Sequence, residues 1–130
     1  MIAVDTNVLV RIIVNDEPSQ AARAAVFLRA QERVFIAKTV MLELEWVLRG
    51  AYRLARGTIA AALRRVLEFP NVEAEDPAAV TAALRWYDQG LDFADSLHVA
   101  SAGHGCKFAT FDGALRRRAR RLRAITLADL

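Results

Sequence analysis

Met1-Ile2-Ala3-Val4-Asp5-Thr6-Asn7-Val8-Leu9 opens the chain, and the reading of the whole fold starts from it. Ile2 to Val4 is a short apolar run that breaks on Asp-Thr-Asn. Those side chains can cap a helix running from about Val8 to Val14. An apolar run passing directly into a capped helix is the first half of a β-α unit, and the pattern recurs down the chain.

Pro18 stands at a favourable first helical position, followed by Ala22, Ala25, Val26 and Arg29 at helical spacing. Val34 to Ala37 reads as a strand, and Thr39 opens a helix through roughly Arg53. Gly57-Thr58 opens the next, with Ile59, Leu63, Val66 and Leu67 on one face. Val72 to Ala74 is a weaker strand. Asp76-Pro77 starts a helix buried through Val80, Ala83, Leu84 and Tyr87, and Gly90 ends it. A helix from about Phe93 to Ala102 stops at Gly103-His104-Gly105. Lys107 to Thr110 reads as a strand leading to Asp112, an arginine-rich helix follows, and Ala124 to Leu127 closes as a strand. The order β-α-α-β-α-α-β-α-α-β-α-β predicts an α/β fold with a mainly parallel sheet of four to five strands.

The 130 residues fit one domain spanning the whole chain, a length at which roughly two thirds of the unfolded surface can be buried. Hydrophobic residues make up 55% and charged residues 25%, a globular balance without low-complexity stretches. No apolar run nears the ~20 residues of a membrane span. No basic segment or cleavage site precedes Asp5, so no membrane association is expected and a cytoplasmic location is. The single Cys106 cannot form an internal disulfide, in keeping with a reducing compartment. The net charge is +3. The basic excess gathers in Arg116, Arg117, Arg118, Arg120, Arg121 and Arg123, which either contact phosphates or an acidic partner, or form a solvated helix face.

Ligands of open α/β sheets bind outside the carboxyl ends of the strands. Asp5 and Asp112 both fall at such ends. Glu43 lies in a helix among Val40, Leu44, Trp46 and Val47, and Asp95 lies one turn into a helix between Phe93, Ala94 and Leu97. Both carboxylates are expected to be partly buried, at a cost that calls for protonation or a cation. Hard oxygen ligands without a suitable Cys or His pair favour Mg²⁺ or Mn²⁺ over zinc. Asp5, Asp92 and Asp112 also have a plainer reading as helix caps. Glu45 reads as a solvated or salt-bridged neighbour of Glu43 that periodicity does not separate from it. His98 reads as a partly exposed helix residue, and Trp46, Trp86 and Tyr87 as core or interface.

Four segments, taken in order, resemble the successive motifs of a PIN domain: Met1 to Leu9, Leu42-Glu43-Leu44-Glu45-Trp46-Val47-Leu48-Arg49, Asp92-Phe93-Ala94-Asp95-Ser96-Leu97-His98-Val99-Ala100 and Phe108-Ala109-Thr110-Phe111-Asp112. The likeness is greatest to toxins of the VapC type and covers essentially the whole chain. It implies a three-layer α/β/α sandwich and a metal-dependent ribonuclease whose ligands are Asp5, Glu43, Asp95 and Asp112. Thr6, Asn7 and Thr110 would orient ligands or water, with Asp92 beside them. In such a nuclease one or two Mg²⁺ ions activate water and neutralise the leaving oxygen. Arg11, Lys38, Arg116 and Arg117 are candidate phosphate contacts. The resemblance further implies a small antitoxin that covers the site and a homodimer of the toxin.

Other classes fit less well. A phosphotransfer receiver needs paired acids after its first strand and a lysine after its last, whereas Asp5 stands alone and Ile125-Thr126-Leu127 has no lysine. A dehalogenase-type phosphatase needs an acid at position 7, which is Asn7. A housekeeping RNA-processing nuclease and a non-catalytic RNA- or protein-binding module on the same fold remain as alternatives.

Overall fold

A computed structural model describes all residues, Met1–Leu130. The chain divides into two compact units, Met1–Glu75 and Asp76–Leu130. The first holds β1 (Ile2–Ala3), α1 (Thr6–Val14), α2 (Pro18–Ala30), β2 (Val34–Ile36), α3 (Lys38–Gly50), α4 (Arg56–Leu67) and β3 (Val72–Ala74). The second holds α5 (Pro77–Asp88), α6 (Phe93–Ala102) and α7 (Gly113–Leu122).

The three strands form one parallel sheet in the order β1-β2-β3, each connection being a pair of helices. Ile2 lies opposite Val34, and Val34, Phe35 and Ile36 lie opposite Val72, Glu73 and Ala74. Val34 and Ile36 on the central strand are wholly buried, as a strand of a parallel sheet covered by helices requires. Side chains distant in sequence lock the sheet to the helices. Asn71 donates from Nδ2 to the carbonyls of Leu28 and Gln31, both at 2.8 Å, satisfying the C-terminal end of α2. Ala37, the N-cap of α3, has no side chain able to cap, and Glu75 Oε1 accepts from the Lys38 backbone N–H at 2.8 Å instead.

Helix α1 begins at Thr6, two residues before the expected start, because the cap is Asp5: its Oδ1 accepts from Thr6 N at 2.7 Å. The left-handed Asn15 ends it. In the second unit α5 packs against α6, with the Tyr87 and Phe93 rings edge to face at 5.5 Å and 81°. A small core of Leu91, Leu115, Ala119 and Ile125 collects Trp86, Val99, Phe108, Leu122 and Leu127 around it. Buried side chains of the leucine class contribute about 1.5–3 kcal/mol each.

The parallel α/β organisation matches the sequence reading, but the sheet has three strands rather than four or five. The expected strands at 107–110 and 124–127 reduce to one parallel bridge, Phe108 to Leu127. Each presents few apolar side chains to a core, since Lys107, Ala109, Ala124 and Thr126 are exposed. No helix is long and apolar enough to cross a membrane.

Candidate functional site

The acidic residues divide between the units. In the first, Asp5 is exposed at the start of α1 and engages only Oδ1 in capping, so the second oxygen stays outside the cap. Thr6 is 4% exposed and its hydroxyl oxygen is buried without a hydrogen-bond partner. An orphaned buried hydroxyl costs about 1–3 kcal/mol and calls for a ligand or water. Asn7 is exposed beside it.

Helix α3 reverses the expected burial of its two glutamates. Met41, Leu44, Glu45 and Leu48 form the buried stripe, an i, i+3, i+4, i+7 pattern on which position 43 does not fall. Glu43 is therefore exposed, not partly buried as its apolar neighbours in sequence implied. Glu45 is 2% exposed and paired with Arg49, Nε to Oε2 at 2.9 Å, so it is salt-bridged rather than solvated. The consequence for the site is direct: Glu45 is engaged internally, and Glu43 presents its carboxylate to solvent. Met41, Leu44 and Leu48 were the available signal, since they fix the stripe without reference to either acid.

In the second unit Asp95 feels the charge of two other acids. Asp92 is the N-cap of α6, with Oδ2 accepting from Asp95 N at 3.1 Å, and its carbonyl accepts from Ser96 Oγ at 2.8 Å. That geometry fixes the first turn of α6 and with it the half-buried Asp95. The Asp95 carboxyl is held above its ordinary pKa, first by desolvation, then by the charges of Asp92 and Asp112, with His98 opposing. Asp112 caps α7, its Oδ1 accepting from Ala114 N at 2.9 Å and Leu115 N at 3.1 Å, while its own N–H donates to Thr110 Oγ1 at 3.0 Å. Thr110 thus orients Asp112. The cap and ligand readings of Asp112 are compatible, because capping occupies one carboxylate oxygen of two.

No group of three or more His, Cys, Asp or Glu side chains stands close enough to hold a metal ion. The donor set nevertheless fits a hard divalent cation in its chemistry: all four groups are carboxylates, and a cation would relieve the desolvated Asp95 of the repulsion of Asp92 and Asp112. His98, His104 and Cys106 are all exposed.

The four candidate phosphate contacts have different surroundings. Arg11 Nη1 is paired with Asp16 Oδ1 at 2.7 Å. Lys38 is half-buried at the start of α3. Arg116 donates from Nη1 to the carbonyls of Thr110 at 3.2 Å and Ala128 at 3.4 Å, an internal clamp rather than an open cation. Arg117 is exposed. Of the aromatic residues expected in the core or an interface, Tyr87 is 1% exposed whereas Trp46 is 63% exposed. Phe111, which the sequence reading passed over, is 90% exposed next to Asp112.

The family model of the PIN domain matches residues 2–121. No curated protein matches the chain.

Proposed function

The chain belongs to the PIN-domain family, whose nucleases bind RNA and generally use divalent metal ions, and from that premise we propose that it is a Mg²⁺- or Mn²⁺-dependent endoribonuclease. Asp5, Glu43, Asp95 and Asp112 are the residues that would hold the metal. The observation that carries this reading is the environment of Asp95, a half-buried carboxyl whose proton affinity is raised by desolvation and two neighbouring acids. The Asp92 cap and a first-turn acid serve the helix, but desolvating the Asp95 carboxyl beside two other acids does not, and perturbed groups of this kind concentrate at functional sites.

A bound divalent cation supplies charge stabilisation at the scissile phosphate and acidifies water. The protein's own part is orientation. Asp92 fixes the first turn of α6 through Asp95 N–H, and Thr110 fixes the Asp112 backbone. The exposed Asn7 follows Asp5 by two residues, where it can hold water or substrate oxygen, and the buried Thr6 hydroxyl between them is free to orient a neighbouring group.

The experiment is a Mg²⁺/Mn²⁺ cleavage screen over tRNA, rRNA and mRNA, with Asp5→Asn, Glu43→Gln, Asp95→Asn and Asp112→Asn. Each of the four is expected to lower cleavage at least ~100-fold, the order of effect of removing one group that stabilises developing charge. Glu45→Gln is expected to act on stability instead. Unchanged cleavage by folded Asp5→Asn and Asp95→Asn would sink the assignment.

We read the ribonuclease further as the toxin of a VapBC-type pair, from the order and similarity of its motifs. That role implies a homodimer and a small antitoxin that covers the acidic site with a basic side chain. Growth arrest on expression, relieved by co-expression of a small protein encoded next to it, is the expected result. Absence of arrest with an active enzyme would return the chain to RNA processing.

A further inference from the structure

Phe111 is the most exposed of the large hydrophobic side chains, at 90%. It stands immediately before Asp112, the N-cap of α7. An apolar residue at that position ordinarily packs on the fourth residue of the helix. Here the fourth residue is Arg116, and its guanidinium is drawn away to the Thr110 and Ala128 carbonyls. The ring is left without its usual partner.

The backbone that carries it is tied on both sides. Asp112 N–H donates to Thr110 Oγ1 at 3.0 Å, Phe108 N–H to the Thr126 carbonyl at 2.8 Å, and Ala128 N–H to the Phe108 carbonyl at 2.9 Å. A bare aromatic ring on a fixed backbone beside a candidate catalytic acid is placed for something outside the chain.

A second observation lies one turn on. Arg117 folds back over the first turn of α7, with Nη1 3.2 Å from where a Cβ on Gly113 would stand. That is the direction a long helical side chain takes, and it sets the guanidinium at the end of α7 that favours anions, where Asp112 engages one carboxylate oxygen in the cap. Arg120 and Arg121 follow at i+3 and i+4 and are exposed like Arg117, whereas Arg118 is engaged with the Gly90 carbonyl at 2.7 Å.

We propose that Phe111 and Arg117 hold one step of single-stranded RNA: the ring stacks on an unpaired base, the guanidinium takes the adjoining phosphate, and Arg120 and Arg121 extend the track along α7. An aromatic face accepts any base, and only a single strand can splay a base onto it. The surroundings favour this over a protein helix, which would need further apolar surface; Thr110 and Asp112 adjoin Phe111 in the chain, and Arg117 reaches back to Gly113, two residues on. The inference rests on the RNA-cleaving reading above and names where that substrate is gripped.

The test is binding of a single-stranded oligoribonucleotide carrying 2-aminopurine, followed by fluorescence quenching in EDTA over a range of salt. Phe111→Ala is expected to lose the quenching and weaken binding roughly 5- to 100-fold with the salt slope unchanged, and Phe111→Trp to retain both quenching and affinity. Arg117→Gln is expected to keep the quenching at saturation but reduce the slope of log affinity against log salt by about 0.7, one phosphate's share on a single strand. Quenching and affinity in Phe111→Ala equal to wild type would overturn the proposal, as would a Phe111→Ala defect confined to binding of a protein. Wild-type quenching without cleavage of any RNA would sink the nuclease reading and leave the platform standing. Cleavage that is indifferent to Phe111 would do the reverse.

Discussion

Asp95 is held in the first turn of α6 by a hydrogen bond from its own N–H to Asp92, and that same acid raises its pKa. Desolvation raises that pKa most, and Asp92, which supplies the local hydrogen bond, adds to it together with Asp112. In the metal-free protein the native state binds the Asp95 proton more tightly than the unfolded chain does. This contribution to stability falls as pH rises from the ordinary carboxylate value through the raised one, and its cost is fully present above that window. Asp95→Asn is expected to raise the thermal midpoint of the metal-free protein by a few degrees at neutral pH and to lose that advantage at acid pH. A midpoint difference that does not vary with pH would contradict this account. The candidate residue itself was legible in the sequence, since Asp92 and Asp95 stand at capping spacing before an apolar helix. The charge of Asp112 acting on it was not, because that depends on how α6 and α7 come together.

Helix α3 shows how far an element's pattern reaches. Its stripe of Met41, Leu44 and Leu48 selects position 45 as the fourth buried site, and a glutamate occupies it. Burial of that carboxylate is made tolerable by Arg49 one turn on, a guanidinium still half-exposed. Arg49→Ala is expected to lower stability by about 1–3 kcal/mol, discounted from a fully buried pair because Arg49 reaches solvent. Chemical denaturation would measure it, and a loss below ~0.5 kcal/mol would mean that the pair is no more than a surface contact. Helix α7 carries a similar lesson: its five arginines read alike in sequence, yet Arg116 and Arg118 bind backbone carbonyls while Arg117, Arg120 and Arg121 face solvent. A count of charges gives the sign of a surface, and only the packed helix says which cations remain open.

Across the whole molecule, the match to the PIN family runs through the boundary between Met1–Glu75 and Asp76–Leu130. One domain is the corresponding expectation, and calorimetry should give a single transition whose calorimetric and van't Hoff enthalpies agree. Two resolved transitions would assign the units separate stabilities. Saturating Mg²⁺ is expected to stabilise the native protein by about 2.7 kcal/mol at a hundred times its dissociation constant, an effect that EDTA reverses and Asp95→Asn abolishes. What the sequence determined alone is what short-range physics controls: strand and helix order, the caps at Asp5, Asp76, Asp92 and Asp112, and the succession of acidic motifs. Capping and periodicity act within a few residues, so they can be read in one dimension. Tertiary structure decided which arginines are open, why Phe111 stands bare, and that the last two strands shrink to a bridge. Those outcomes depend on partners far along the chain, such as Glu75 capping α3, Asn71 closing α2 and Ala128 binding Arg116, and no local pattern specifies them.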